Sequence, residues 1–191
     1  MISNSPNLMT ADELEVMPDE DRYELIDGIL VERPPVGNES DWIAGELQAI
    51  LRNHVRAARL GWVFGSESGY QCFPDDPNRL RRPDVSFVRF GRFPDERIPK
   101  GYARLAPDLI VEVVSPNDLA EKVEEKVQDF LSAGVRQVWV VDPESRAVHV
   151  RRPDRSATSL SGDDELTGED VVPGFLCRVV ELFPPSEPAV E

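Results

Sequence analysis

Apolar residues recur at helical spacing between Asp41 and Arg59, where Trp42, Ile43, Leu47, Ile50, Leu51 and Val55 form one stripe and Gly61 closes the segment. This predicts a first long helix. A shorter one is announced upstream by Thr10 with Glu13 three residues on, the spacing of a capping box, ending near the Pro18-Asp19 turn. Between them Tyr23 to Glu32 alternates around Asp27-Gly28 and reads as a β-hairpin. Trp62 to Phe73, Asp84 to Phe90 and Leu109 to Val114 are short, rich in Val, Ile, Phe and Trp, and separated by loops bearing Pro and Gly, so three consecutive strands are expected. A second long helix should start at Asn117 or Asp118, either of which can cap it, and stop at Gly134. Gln137 to Val141 and Ala147 to Arg151 then read as strands around a turn at Asp142-Pro143-Glu144. Leu166 to Phe183 is expected to pack back as a small strand or turn element through Val171, Val172, Phe175 and Leu182. No internal repeat is present in the sequence.

Length and composition narrow the picture. With 191 residues, 40% hydrophobic and 30% charged, the chain fits one domain, its core spanning about 20–183 and its ends, 1–10 and 184–191, loose. The start carries no basic flank followed by an apolar run, and no stretch approaches the roughly 18 apolar residues of a membrane span, so a cytosolic protein with no membrane partner is expected. Cys72 and Cys177 lack metal-ligand spacing and fit free thiols in a reducing compartment. The net charge of −15 opposes simple nucleic-acid binding, since phosphate contacts draw on Lys and Arg. The distribution softens that objection: from Arg79 to Arg104 there are eight basic and three acidic residues, a local balance of +5, and Asp84 lies inside this island. A charge run of this kind is also what an ordinary solvated face looks like.

Candidate chemistry centres on Asp84, Glu112 and Lys126. Glu112 interrupts the aliphatic run Leu109 to Val114, where a carboxylate is costly to bury without a specific partner. Strand alternation puts Asp84, Ser86 and Val88 on one face of their strand and Ile110, Glu112 and Val114 on one face of theirs, so neighbouring strands would bring both acids together. Two carboxylates with a backbone carbonyl such as that of Val113 suit Mg²⁺. On a helical wheel with Leu119 at zero, Lys126 falls at about 340°, bordering Phe130 at about 20° and Val123 at about 40°. Glu121, Glu124, Glu125, Gln128 and Asp129, between about 140° and 280°, face solvent more plainly. Beside a metal site the Lys126 ammonium can orient or help deprotonate an attacking water and stabilise charge on a phosphorane-like transition state. Plainer roles compete for each residue: a turn aspartate after Pro83, a glutamate paired with an arginine, a snorkelling lysine.

The sequence resembles the Uma-type putative restriction endonuclease family of the PD-(D/E)XK nuclease superfamily. The likeness runs through Tyr23-Glu24-Leu25-Ile26-Asp27-Gly28, Arg82-Pro83-Asp84-Val85, Pro107 to Pro116, Lys126 to Pro143 and Val172-Pro173-Gly174-Phe175. The resemblance implies an α/β fold with a restriction-endonuclease-like core, a mixed central sheet flanked by helices, and Mg²⁺- or Mn²⁺-dependent hydrolysis of DNA phosphodiester bonds. By position Asp84 is the aspartate of the PD motif and Glu112 the acid of (D/E)XK; these two would hold the metal, and no other cofactor is implied. The motif lysine, two residues after the acid, is replaced by Val114, and Lys126 takes its place from the following helix, 14 residues beyond Glu112. Relatives carry a histidine at the entrance of the first long helix, where this chain reads Glu39-Ser40-Asp41. Glu24 and Glu67 stand in contexts that suit accessory acids; His54 and His149 read as surface residues.

The leading expectation is thus a metal-dependent DNA endonuclease using Asp84, Glu112 and Lys126, with a homodimer suited to cutting two strands. The alternative is a catalytically silent nuclease fold that binds protein or nucleic acid. A third reading makes the three residues a structural ion cluster.

Overall fold

The computed structural model describes residues 8–185. Thr10 does cap α1 (Ala11–Glu15), with its side chain accepting from Glu13 N and the Glu13 carboxylate accepting from Thr10 N at 2.8 Å. The hairpin is β1 (Tyr23–Ile26) and β2 (Ile29–Glu32), turned through Asp27 and Gly28, both at positive φ. α2 (Asn38–Ala58) leads into β3 (Gly61–Phe64), β4 (Val85–Arg89) and β5 (Leu109–Val113). Then come α3 (Ala120–Ser132), β6 (Gln137–Asp142), β7 (Ala147–Arg151), β8 (Ala157–Ser161), β9 (Glu165–Thr167) and β10 (Leu176–Arg178).

Six strands form one sheet in the order β3-β4-β5-β6-β7-β8. Every pairing is antiparallel except β5 with β6, which is parallel and therefore needs the long crossover that α3 supplies. α2 covers one face, where Ile43, Leu47 and Leu51 meet Val85, Val111 and Trp139. The 166–183 segment closes the same face, with Val171, Val172, Phe175 and Leu182 all buried as the pattern requires. α3 covers the other face through Val127 and Phe130, against Val88, Ile110 and Val138. β5 is buried along its whole length because helices lie on both sides, which is why its sequence is a continuous apolar run.

The hairpin pairs only with itself as a sheet. It is tied on where Leu25 and Leu80 exchange backbone hydrogen bonds of 3.0 and 2.8 Å, over a small core of Ala11, Leu14, Leu25, Leu80 and Tyr102.

Several boundaries differ from expectation. The strand expected over Trp62 to Phe73 stops at Phe64, where Ser68 N bonds Gly65 O in a turn and Tyr70 makes only isolated bridges to Arg81 and Ala103. α2 starts three residues earlier than expected, at Asn38, and ends on Arg59 in the left-handed region; Gly61 already belongs to β3. Neither Asn117 nor Asp118 caps α3: Leu119 holds that position, and the Asp118 carboxylate is used by Ser115 N at 2.8 Å. β8 was not expected, because its Ala-Thr-Ser-Leu-Ser sequence lies at the exposed sheet edge and has little need of apolar alternation. Of the ends expected to be loose, 1–7 and 186–191 fall outside the described residues, while Met9 N bonds Gly28 O at 2.9 Å.

Candidate active site

Asp84 immediately precedes β4, and Val85 pairs with Val111, so the same register carried one residue on sets Asp84 opposite Glu112. The Asp84 carboxylate is anchored there by Val113 N, which donates to Oδ2 at 2.7 Å. Glu112, 7% exposed, shares the α3 face of β5 with Ile110, as strand parity requires. α3 brings Lys126 across the ends of these strands. Its Nζ donates to Arg82 O at 2.7 Å and lies 3.0 Å from Glu24 Oε1 and 3.1 Å from Glu112 Oε2. The three sequence-derived residues are therefore brought together.

Glu24, from β1, joins them. Its Oε1 also accepts from Arg82 N at 2.8 Å and its Oε2 from Arg81 at 2.9 Å. Arg81 in turn donates to Asp129 Oδ2, one turn along α3 from Lys126. Asp129 is thus turned inward to a cation and does not face solvent as the wheel alone suggests. Neither Arg81 nor Asp129 was singled out from sequence as a site residue, because their pairing spans 48 positions and leaves no local signal.

One ammonium serves two buried carboxyls, and they divide unequally. Burial by itself would raise the Glu24 carboxyl, but Lys126, Arg81 and the Arg82 N–H outweigh it and hold the group at about 2. Glu112 has only Lys126: burial, opposed by that ammonium but helped by the charges of Asp84 and Glu24, pushes it up to about 8. Burial also raises Asp84, against the pull of Lys126 and the Val113 N–H. For Lys126, burial disfavours the charge, yet Glu112, Glu24 and Asp84 together raise it above its ordinary value, so it remains an ammonium.

These groups line a cleft of about 300 Å³ whose rim includes the exposed side chains of Val36 and Leu119. Glu112 Oε1 is buried and has no hydrogen-bond partner. A buried, orphaned carboxylate oxygen beside a second carboxylate is the donor set a divalent cation accepts, and Mg²⁺ needs no more than one or two protein carboxylates. Asp84 and Glu112 fit such an ion. Among the described residues no group of three or more His, Cys, Asp and Glu side chains is arranged to hold a metal, and Glu24 is committed to its cations.

Other residues raised from sequence lie elsewhere. Glu67 is exposed, its carboxylate 3.9 Å from Arg33 and outside the cleft. His54 is half-buried, 3.0 Å from Pro173 O and edge-on to Phe175, and His149 is half-buried on β7; neither lines the cleft. Cys72 and Cys177 are free thiols, each pushed up to about 12 by burial and hence unreactive. The basic island is largely spent inside the molecule. Arg79, Arg81, Arg82, Arg89, Arg92 and Arg104 each pair with an acid, Arg82 at 1% exposure, so of the eight basic residues in the island only Arg97 and Lys100 lack an ion pair among the described residues.

A mixed sheet with one parallel pair, helices on both faces and an acid pair at the strand ends is a restriction-endonuclease-like α/β fold. A crystal structure of a putative nuclease belonging to DUF820, from Anabaena variabilis, matches it with a TM-score of 0.77 at 23% identity, over 92% of this chain and 97% of that one. The family model described as Uma2, putative restriction endonuclease, matches residues 11–180, and the chain belongs to that family. No curated protein matches it. Among the described residues no helix is long and apolar enough to cross a membrane.

Proposed function

We propose that this protein is an endonuclease hydrolysing DNA phosphodiester bonds, with Mg²⁺ or Mn²⁺ held by Asp84 and Glu112 and with Lys126 as the catalytic cation. The observation that carries this reading is the buried, unpartnered Glu112 Oε1, on a residue that the β4–β5 register sets opposite Asp84 and whose carboxyl is raised by burial and by the Asp84 charge. A divalent ion bound there would supply positive charge beside the scissile phosphate and acidify water. Asp84 is held in orientation by the hydrogen bond from Val113 N. Lys126 acts through its charge. Its ammonium donates to Arg82 O and is ion-paired with Glu24 and Glu112, and its raised pKa makes it a poor base at neutral pH. It therefore stabilises negative charge on the phosphoryl oxygens. Glu24 and Arg81 position Lys126.

The test is nicking of supercoiled duplex DNA with Mg²⁺ or Mn²⁺, compared with Asp84→Ala and Glu112→Ala whose folding is verified by circular dichroism. Loss of nicking in both variants supports the proposal. No cleavage by wild type with either ion overturns it in favour of a silent nuclease-fold module.

A further inference from the structure

At the far end of β4 from Asp84, about 20 Å away along the strand at some 3.3 Å per residue, lies a second cleft of about 280 Å³. Its wall carries three arginines: Arg52 and Arg56, one turn apart on the last turns of α2, and Arg59, the left-handed residue that ends the helix. Opposite them stand Trp62 and Phe90, edge to face with centroids 5.2 Å apart, and Phe90 is 42% exposed. Arg52 is oriented by Val63 O, to which it donates at 3.3 Å.

The charge here is unusual for this molecule. Of its 21 Lys and Arg residues, two thirds are ion-paired among the described residues. Arg52, Arg56 and Arg59 are not, and no Asp or Glu lines their cleft. On a chain of net charge −15, three guanidinium groups without an acid partner around one hollow are complementary to an anion. The exposed aromatic ring on the facing wall adds what inorganic phosphate cannot use: a surface on which a planar base stacks. Arginines at a helix C-terminus also complement the helix dipole, but that role asks for neither convergence on a cleft nor a facing aromatic pair.

We propose that this cleft binds an unpaired nucleotide of a nucleic-acid strand, its base stacked on Phe90 and its phosphates held by Arg52, Arg56 and Arg59. The site is separate from the acid pair, and the inference does not rest on the nuclease reading.

The experiment is fluorescence anisotropy of a short labelled oligothymidylate with the full chain in EDTA, so that neither metal binding nor cleavage enters. The triple variant Arg52→Gln, Arg56→Gln, Arg59→Gln should weaken binding more than tenfold and lower the slope of log K against log salt by about 2, near 0.7 per lost phosphate contact. Phe90→Ala should weaken it by about fivefold or more, the low end of one base stack. All four side chains are solvent-exposed, and unchanged thermal melting checks that the variants fold. Binding unaltered in the triple variant overturns the site. Competition by pyrophosphate as effective as that by the oligothymidylate, or a blunt duplex binding equally well, overturns the stacked base. Absence of DNA cleavage in metal would sink the nuclease reading and leave this one untouched.

Discussion

Lys126 Nζ lies 3.1 Å from Glu112 Oε2, while the other oxygen of the same carboxyl, Oε1, is buried without a partner. Glu112 is thus half-satisfied, and the missing half is the most consequential feature of the site.

Glu112→Gln should flatten the pH dependence of stability. The wild-type carboxyl titrates at about 8 when folded and in the ordinary carboxylate range when unfolded, so between those values the native state binds the extra proton. Its contribution is complete below the unfolded pKa and fades as pH rises through about 8. Urea midpoints at about pH 6 and about pH 9 should fall more for wild type than for the glutamine variant. An equal fall in both would show that Glu112 is not held protonated.

Lys126→Met should cost about 3 to 5 kcal/mol, the usual result of stripping the partner from buried charges. Glu24 and Glu112 both lose their shared cation. Acidic buffer should recover part of the loss, because Lys126 is the strongest influence holding the Glu24 carboxyl low, and without it Glu24 takes a proton more readily. A variant as stable as wild type in guanidinium titration would place Lys126 outside the network.

Mn²⁺ should raise the thermal midpoint of the wild type and leave Asp84→Asn unchanged. At a concentration of about 100 times Kd the gain is about 2.7 kcal/mol. Scanning calorimetry reads it, and the same gain in Asp84→Asn would move the cation elsewhere.

Gly61→Ala should destabilise by about 2 kcal/mol or more, although it touches no functional group. A Cβ there is driven into Val88 O and Arg89 Cα on the paired strand, which cannot yield as a side chain would. A denaturation midpoint within error of wild type would mean that β3 and β4 can separate at no cost.

What was legible in the sequence followed from fixed periods. Alternation set Asp84 and Glu112 on one face, and the helical angle set Lys126 at the edge of the α3 stripe, because both are local geometry. The partners were hidden where pairing is long-range. Nothing near Arg81 reveals that Asp129, 48 positions later, will absorb its charge, so the island from Arg79 to Arg104 looked more open than it is. Glu24 was legible as a candidate accessory acid; that its hairpin would reach Lys126 depends on the Leu25 and Leu80 bridge. β8 gave little signal because edge strands are set by the neighbour they pair with, here β7, more than by their own residues.

The hairpin that delivers Glu24 also dates the assembly of the site. β6, β7 and β8 are consecutive neighbours whose pairing closes short loops, whereas Glu24 and Lys126 are separated by about a hundred residues of chain. Closing long loops is the slow part of reaching a native topology. A ribosome-bound chain that has not yet released α3 holds Glu24 and Glu112 with no lysine between them, and because β6, β7 and β8 emerge only after α3, Lys126 is at hand before the parallel strand beside β5 exists to enclose the cluster.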